Sequence, residues 1–410
     1  MTTISEEVPT GFVEGEILDD RFAPVLGVFL QNFDKPDEKG ASLCITLEGK
    51  TVLDIWGGTA IAKEEKPWEA STLATMFSCT KGMLALVAHI LIDEKTIDPN
   101  APVIDLWPEF GAHGKEAVTL QMMLDHTAGV PVFRDKVPDG ALADWNWATG
   151  TLAAQEPLFE PGTRSAYHGL TFAWTVGEMI RRASGQTAGE IFAERVAKPL
   201  GLELWMGAPA EVAPRMARIL RPRFRSTDAI SPYMHKLLNE PESIPSLFFN
   251  NTGGFSANNP MYWQTEIGAA AGVGNARSLA RMYAALACGG TLDGVKLVGP
   301  DALIRMRTVT NASHSDATLL APLRIASGFM VTRERRPDAG TGYHHLGRAA
   351  FGHVGSGGSI GMADPEAGMS VAYVMNQQGK GASMNERGQF LVDAAYRALS
   401  WRMTPHHWRP

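Results

Sequence analysis

A serine and a lysine stand three residues apart, Ser78 and Lys81, at the start of the apolar stretch FSCTKGMLALVAHIL. Residues i and i+3 lie on one face of a helix, so the two side chains can meet. Burial lowers the pKa of a lysine, and the neutral amine can take a proton from a serine hydroxyl. The motif therefore predicts a nucleophilic serine with a lysine base. Taken alone, it fits a solvated lysine on a surface turn equally well.

A second segment, EPGTRSAYHGLTF, places Tyr167 at the end of a loop and just before a predicted helix. A tyrosine beside a lysine ammonium ionises more easily and can relay protons. The alternative for such a tyrosine is a packing role only.

A third segment, FGHVGSGGSIG, contains His353 and is predicted to be a strand with a glycine-rich end. Glycines let a substrate approach the backbone closely. An N–H group of this strand, together with the N–H of Ser78, would form an oxyanion hole. The alternative is a glycine-rich strand end that binds nothing.

Helices and strands must bring these segments together. The apolar spacing predicts helices over 18–33, 170–184, 276–288 and about 385–400, besides the one that begins near Ser78. SLCITLEGKTVLDIWGG predicts a hairpin that turns at Glu48-Gly49, and strands return from about residue 325.

Strands at both ends, with helices between them, predict an α+β fold: an antiparallel sheet flanked by helices, with an inserted, mainly helical lobe. At 410 residues the chain exceeds the size at which one core keeps growing. We expect a sheet domain of residues 1–75 plus 300–410 and a helical domain of residues 76–299. The active site is expected in the cleft between them.

The stretch 221–265 is rich in Pro, Asn and Ser and is too long for an ordinary connection, which is typical of a binding segment. Several aromatic residues also fall in loop-like segments. We expect most of them to pack between the lobes and one or two to line an acyl or alcohol pocket. They are Trp145, Trp147, Phe248, Phe249, Tyr262 and Trp263.

Composition excludes several classes of function. The net charge of −7 argues against a nucleic-acid partner. Three cysteines predict neither a disulfide framework nor a zinc site, and the pairs His344-His345 and His406-His407 have no third ligand at a supporting spacing. The sequence predicts a cytoplasmic protein without cofactor, metal, signal peptide or membrane span.

Taken in order, the three motifs resemble the serine β-lactamase and penicillin-binding-protein superfamily, whose signature is Ser-x-x-Lys, Tyr-x-Asn and Lys-Thr-Gly. The closest resemblance is to family VIII carboxylesterases and class C β-lactamase-like serine hydrolases. MMLDHTAGV at Met122–Val130 is similar to a further loop of the family, and the likeness covers nearly the whole chain. It implies a β-lactamase/transpeptidase-like fold.

The resemblance also implies roles for residues. Ser78 would be the nucleophile, and Lys81 the general base. Tyr167 would share the proton transfers and activate the deacylating water. The N–H groups of Ser78 and Ser356 would hold the oxyanion.

Two departures from the signature bear on the substrate. Gly169 replaces the asparagine of the second motif, while His353, Val354 and Gly355 stand where the family has Lys-Thr-Gly and would contact substrate. Binding a carboxylate requires a cation and a hydroxyl donor, whereas histidine is mostly neutral at pH 7 and valine donates nothing. The resemblance therefore implies a hydrolase of small to medium neutral esters. An amidase, β-lactamase, D-alanyl peptidase or acyltransferase on the same site remains open, and so, more distantly, does a non-enzymatic binding scaffold.

Two other residues could be mistaken for a nucleophile. Ser359 lies in a Gly-x-Ser-x-Gly sequence, but that elbow must join a strand to a helix, and here a turn and a strand follow. Cys79 would point about 100° away from Ser78 on a helix and is expected to be a buried structural residue.

Overall fold

The computed structural model describes residues 1–35, 37–223, 232–333, 344–380 and 384–410. Part of the predicted binding segment, 224–231, lies outside these ranges. Eighteen strands and thirteen α-helices occur in the described ranges. The strands are β1 Thr2–Val8, β2 Gly11–Ile17, β3 Gly40–Leu47, β4 Lys50–Ile61, β5 Lys66–Pro67, β6 Ala74–Thr75, β7 Leu204–Trp205, β8 Val273–Gly274, β9 Thr291–Leu292, β10 Val295–Lys296, β11 Asn311–Ser313, β12 Leu323–Ala326, β13 Phe329–Val331, β14 Phe351–Val354, β15 Ile360–Asp364, β16 Met369–Met375, β17 Arg402–Met403 and β18 Trp408–Arg409. The helices are α1 Ala23–Phe33, α2 Thr80–Asp93, α3 Leu120–Leu124, α4 Trp145–Ala154, α5 Phe172–Ser184, α6 Ala188–Phe192, α7 Lys198–Leu200, α8 Pro232–Asn239, α9 Ile244–Asn250, α10 Pro260–Gln264, α11 Ala276–Ala287, α12 Pro300–Arg307 and α13 Glu386–Ala398.

One antiparallel sheet joins the two ends of the chain. Its strand order is β1-β2-β4-β3-β16-β15-β14-β13-β12-β11, with β5 paired to β4. The ends meet where β3 pairs with β16, in the register Cys44 opposite Ala372. The predicted α+β sheet built from distant parts of the sequence is therefore confirmed.

Helices cover both faces of this sheet. Side chains alternate along a strand, so Cys44 faces one apolar cluster while its neighbours Leu43 and Ile45 face another. Helix α11 packs on β3, β15 and β16, whereas α1 and α13 pack together in the cluster of the other face. Helix α11 thus lies on the sheet although it precedes residue 300. The domain boundaries given above stay a prediction.

Helix α2 is the centre of the helical part. Every residue from Thr80 to Ile92 is buried, and the helix packs against α5 and α6. A helix that is apolar on all sides belongs inside a protein. The residues at its first turn are therefore held rigidly in the interior.

The structure differs from the sequence prediction at the N-terminus. The hairpin of β1 and β2 at the edge of the sheet was not predicted, because only a few of its side chains are buried and the alternation is weak. The helix predicted from residue 18 begins at Ala23, after a 3-10 turn at Asp20–Phe22 that Asp19 caps. Where the structure describes the segment 221–265, three short helices, α8 to α10, occur in it.

Candidate active site

Ser78 sits in a tight turn between strand β6 and helix α2. Residues Phe77–Cys79 form a 3-10 turn, and Phe77 has a φ of +49°, a left-handed conformation that is unfavourable for a bulky residue. Thr80 fastens this turn: its Oγ1 donates to the Phe77 carbonyl at 2.6 Å and accepts from the Gly272 N–H at 2.9 Å. Strained backbone of this kind clusters at functional sites. The turn leaves Ser78 half-buried, hence open to a small molecule.

Lys81 lies beneath Ser78 and is fully buried. Its Nζ lies 3.1 Å from Ser78 Oγ, 2.7 Å from the carbonyl oxygen of Gly169 and 2.9 Å from that of Ala269. Burial lowers the pKa of Lys81 well below its ordinary value. A neutral amine has two N–H groups, which the two carbonyls can accept. Its lone pair is then directed at Ser78 Oγ.

Tyr167 packs against the same lysine. Lys81 Nζ lies 4.8 Å from the centre of its ring. The buried carboxylate of Asp316 fixes this segment, since it accepts from the Tyr167 N–H at 3.1 Å and from Ser165 Oγ at 2.8 Å. Burial raises the pKa of Tyr167, and a hydrogen bond with Ser78 opposes that shift. The direction is opposite to the easier ionisation expected from the sequence, because desolvation of the buried phenol is the largest cause of the shift.

Two histidines complete the surroundings of Lys81 and were not singled out from the sequence. His126 Nδ1 accepts a hydrogen bond of 3.1 Å from the His168 N–H, and its ring lies 4.7 Å from that of Tyr167. Burial lowers the pKa of His168 to about 4 and holds the pKa of His126 well below its usual range. Both imidazoles are therefore neutral at pH 7. His126 has a left-handed φ of +61°, and no pattern in the HTAG sequence predicts this conformation.

The strand β14 brings His353 to the same place. Its ring centre lies 6.2 Å from that of Tyr167, and Nδ1 donates to the Val354 carbonyl at 2.9 Å. Burial, and next the nearby Lys81, lower the pKa of His353 to about 3. Its Nε2 has no hydrogen-bond partner among the described residues. His353 is thus a neutral group, as the sequence predicted. Its contact with a substrate stays a prediction.

Gly355 lets this strand approach the serine turn. A Cβ atom at Gly355 would lie 2.4 Å from the backbone oxygen of Met76, closer than real Cβ atoms come. The Gly355 N–H donates to the Ser359 carbonyl at 2.7 Å. The closest neighbour of this glycine is therefore the turn that carries Ser78. This contact alone accounts for a glycine at position 355, whether or not a substrate binds there.

Ser356 follows in the turn after β14 and is half-buried. The next carbonyl, that of Gly357, accepts from Asn385 Nδ2 at 2.8 Å and from Arg387 Nη2 at 3.2 Å, both at the start of α13. Gln378 Nε2 contacts Ser356 Oγ at 3.3 Å. Across the described ranges no acceptor faces the Ser356 N–H. A fixed turn with a free N–H suits an oxyanion hole, whose pairing with the Ser78 N–H stays a prediction.

The two other candidate nucleophiles are buried. Ser359 is buried and leads into strand β15 rather than a helix. Cys79 is buried, with Sγ 3.5 Å from the His353 carbonyl, and burial raises its thiol pKa. In the ranges that the structure describes, no group of three or more His, Cys, Asp and Glu side chains could hold a metal ion. No helix in those ranges combines the length and apolarity that crossing a bilayer requires.

The loop aromatics divide into two groups. Trp145 Nε1 donates to Glu178 at 2.7 Å, and Trp147 stacks near Phe133, so both pack inside the helical part. Tyr262 and Trp263 are buried and Phe249 is largely exposed, whereas Phe248 alone of the six lies edge-on to Tyr167, at 6.4 Å between ring centres.

Comparisons with known proteins agree with this geometry. The Beta-lactamase family model matches residues 29–396. Esterase/beta-lactamase LipL of Mycobacterium tuberculosis is 35% identical over 365 residues, which span 88% of this chain and 82% of the relative. A penicillin-binding protein homolog from Caulobacter crescentus superposes with a TM-score of 0.82 at 36% identity, over 93% of this chain and 99% of that one. A family VIII carboxylesterase gives 0.81 at 35% identity, over 94% and 99%. The chain belongs to the beta-lactamase family. It is an enzyme of the esterase/β-lactamase-like serine hydrolase group within that family.

Proposed function

We propose that this protein is a carboxylesterase that cleaves small to medium neutral esters through an acyl intermediate on Ser78. The observation that carries the proposal is the fully buried Lys81, whose amine is bonded by two backbone carbonyls and lies 3.1 Å from Ser78 Oγ. Burying a lysine ammonium without a carboxylate partner is costly, so burial favours the neutral amine, and a neutral amine is a base.

In the acylation step, the Ser78 hydroxyl gives its proton to Lys81 Nζ while Oγ attacks the ester carbonyl carbon. The carbonyl oxygen becomes an anion, for which the backbone N–H groups of Ser78 and Ser356 supply the donors. The C–O bond to the alcohol then breaks. The departing alkoxide takes the proton from the Lys81 ammonium, with the Tyr167 hydroxyl as relay, and leaves as the alcohol.

Deacylation reverses the same transfers with water in place of the alcohol. The water gives a proton through Tyr167 to Lys81 Nζ while its oxygen attacks the acyl carbon. The bond between the acyl carbon and Ser78 Oγ then breaks, the Lys81 ammonium returns the proton to Oγ, and the carboxylic acid leaves. Because the pKa of Tyr167 is raised, the phenol stays protonated at neutral pH. Tyr167 therefore passes protons on, and Lys81 is the resting base.

Neutral esters suit this site better than carboxylate-bearing substrates. The three histidines around Lys81 are uncharged at pH 7, since burial lowers the pKa of each. Arg348 is exposed and lies near His407 of the C-terminal tail. A fixed cation for a carboxylate is therefore not supplied by these groups.

Hydrolysis of β-lactams is the second candidate, because the name of the LipL relative joins the two activities. Amide hydrolysis and acyl transfer to an alcohol would use the same serine. A panel of p-nitrophenyl esters, nitrocefin, an anilide and an ester with added alcohol separates these four reactions, with Ser78→Ala as the control. The proposal predicts that butyrate is cleaved far faster than nitrocefin or the anilide. Nitrocefin turnover equal to butyrate turnover would contradict it.

A further inference from the structure

The position of Gly169 shows which space beside the proposed base is already filled. Its carbonyl oxygen accepts 2.7 Å from Lys81 Nζ, so residue 169 borders the reacting atoms. A Cβ atom at this position would lie 2.0 Å from Cε2 and 2.3 Å from Cδ2 of Phe248. Real Cβ atoms essentially never come within 3.0 Å of another heavy atom. The Phe248 ring therefore occupies the place that any side chain at 169 would need.

The same ring borders the proposed proton relay. Phe248 stands edge-on to Tyr167, with 6.4 Å between centres and 74° between planes, and Lys81 Nζ lies 4.8 Å from the centre of the Tyr167 ring. Phe248 is half-buried, so part of its ring is open to solvent. An open aromatic surface beside the Tyr167 ring is available to a substrate.

The position of Phe248 is fixed from behind. Asn251, just after helix α9, donates from Nδ2 to the carbonyls of Phe133 at 3.0 Å and Asp135 at 2.8 Å, and accepts from the Val137 N–H at 2.8 Å. These three bonds tie α9 to the loop 131–137. The ring also borders a small space that is lined in part by Pro131, Val132, Phe133, Leu170 and Leu247. The ring is therefore a supported wall rather than a loose surface group.

We propose that Phe248 determines substrate specificity, as a wall against which one apolar substituent of the ester packs and which limits the length of that substituent. The inference rests on the proposed ester hydrolysis. Gly169 and Phe248 act as a pair, because the glycine makes room for the ring. Neither offers a hydrogen-bond donor from its side chain, so an amide or a charge in this position would be desolvated without a partner.

The first experiment varies chain length on each side of the ester. Rates for p-nitrophenyl acetate to octanoate probe the acyl side, and methyl to octyl acetates probe the alcohol side. For Phe248→Ala, the ratio of kcat/KM for the eight-carbon substrate to that for the four-carbon substrate should rise roughly tenfold in one of the two series. Pocket contacts with methylene groups discriminate by such factors. Phe249→Ala is the matched control, because Phe249 is the next residue of the same helix and is 60% exposed. It should leave both ratios unchanged.

Unchanged ratios in both series, while butyrate hydrolysis still depends on Ser78, would overturn the inference and leave the proposed function intact. If the wild-type protein shows no ester hydrolysis that depends on Ser78, both the inference and the proposed function are overturned. These two failures are distinguishable because the second appears before any variant of Phe248 is made.

The second experiment tests the pairing itself. Gly169→Ala should lower kcat/KM for butyrate about tenfold or more, because the new methyl group must displace Phe248 or the carbonyl that binds Lys81. Adding Phe248→Ala should restore activity to within a few-fold of Phe248→Ala alone, a non-additivity expected only of residues in contact. Thermal unfolding of each variant separates loss of fold from loss of function. Simple addition of the two effects would contradict the pairing.

Discussion

The buried lysine gives the most demanding prediction. Replacing Lys81 by Met keeps the volume and removes the amine, whereas Lys81→Arg introduces a charge that cannot be given up near neutral pH. Both variants should lose about 10³-fold or more in kcat/KM, because parts that act as a unit fail together. The wild-type kcat/KM should rise with pH as Lys81 loses its proton, with a midpoint well below the about 10.4 of free lysine. Titration of released acid measures these rates without depending on nitrophenol ionisation.

The same lysine sets a pH dependence of stability. The pKa of Lys81 is lower in the folded than in the unfolded chain, because burial disfavours the ammonium. The unfolded chain therefore binds more protons, and the lysine destabilises the fold increasingly as pH falls from about 10.4 towards the folded pKa. The unfolded chain binds at most one proton more than the folded chain. As pH rises through this window, the unfolding free energy of wild type should therefore increase by up to about 1.4 kcal/mol per pH unit relative to that of Lys81→Met. Denaturant titrations at several pH values measure it.

Two results would refute this reasoning. Activity of Lys81→Arg close to that of wild type would make the lysine an electrostatic fixture. Equal pH slopes of the unfolding free energy in wild type and Lys81→Met would mean that the lysine keeps its ordinary pKa despite its burial.

Two further variants, the double substitution of His353 and Val354 and the single substitution of Gly355, test the glycine-rich strand. Changing His353 to Lys and Val354 to Thr should raise nitrocefin hydrolysis relative to butyrate by a few-fold to about 100-fold, and no change would mean that another group binds the carboxylate. Gly355→Ala should lower both activity and stability, the latter by about 1–3 kcal/mol, because its Cβ would meet the Met76 oxygen at 2.4 Å. Gly150→Ala, in an exposed and open position of α4, should leave stability equal or slightly higher in the same thermal melts, and a comparable loss there would discredit the clash.

Much of the site was predictable because its residues follow local rules. The i and i+3 spacing places Ser78 and Lys81 together on any helix, and the apolar run after them predicts the burial of that helix. The glycine-rich end of β14 was readable because only glycine permits so close an approach. The family resemblance supplied the order in which distant segments meet.

Other features depend on contacts between distant segments that no local pattern records. Phe248 reaches Gly169 across about eighty positions of sequence, and only the fold makes them neighbours. The sign of the Tyr167 shift was mistaken because it depends on how completely the phenol is buried. Asp316, which fixes the Tyr167 backbone, lies in an irregular loop with no motif.

The most direct test of the proposed mechanism is to identify the residue that carries the acyl group. An organophosphonate ester is added to the intact protein, and the digested peptides are weighed by mass spectrometry. If Ser78 is the nucleophile, one phosphonyl mass is added to the peptide that contains Ser78, ester hydrolysis is lost in proportion, and Ser78→Ala is not labelled. Labelling of the Ser359 peptide with Ser78 unmodified would contradict it.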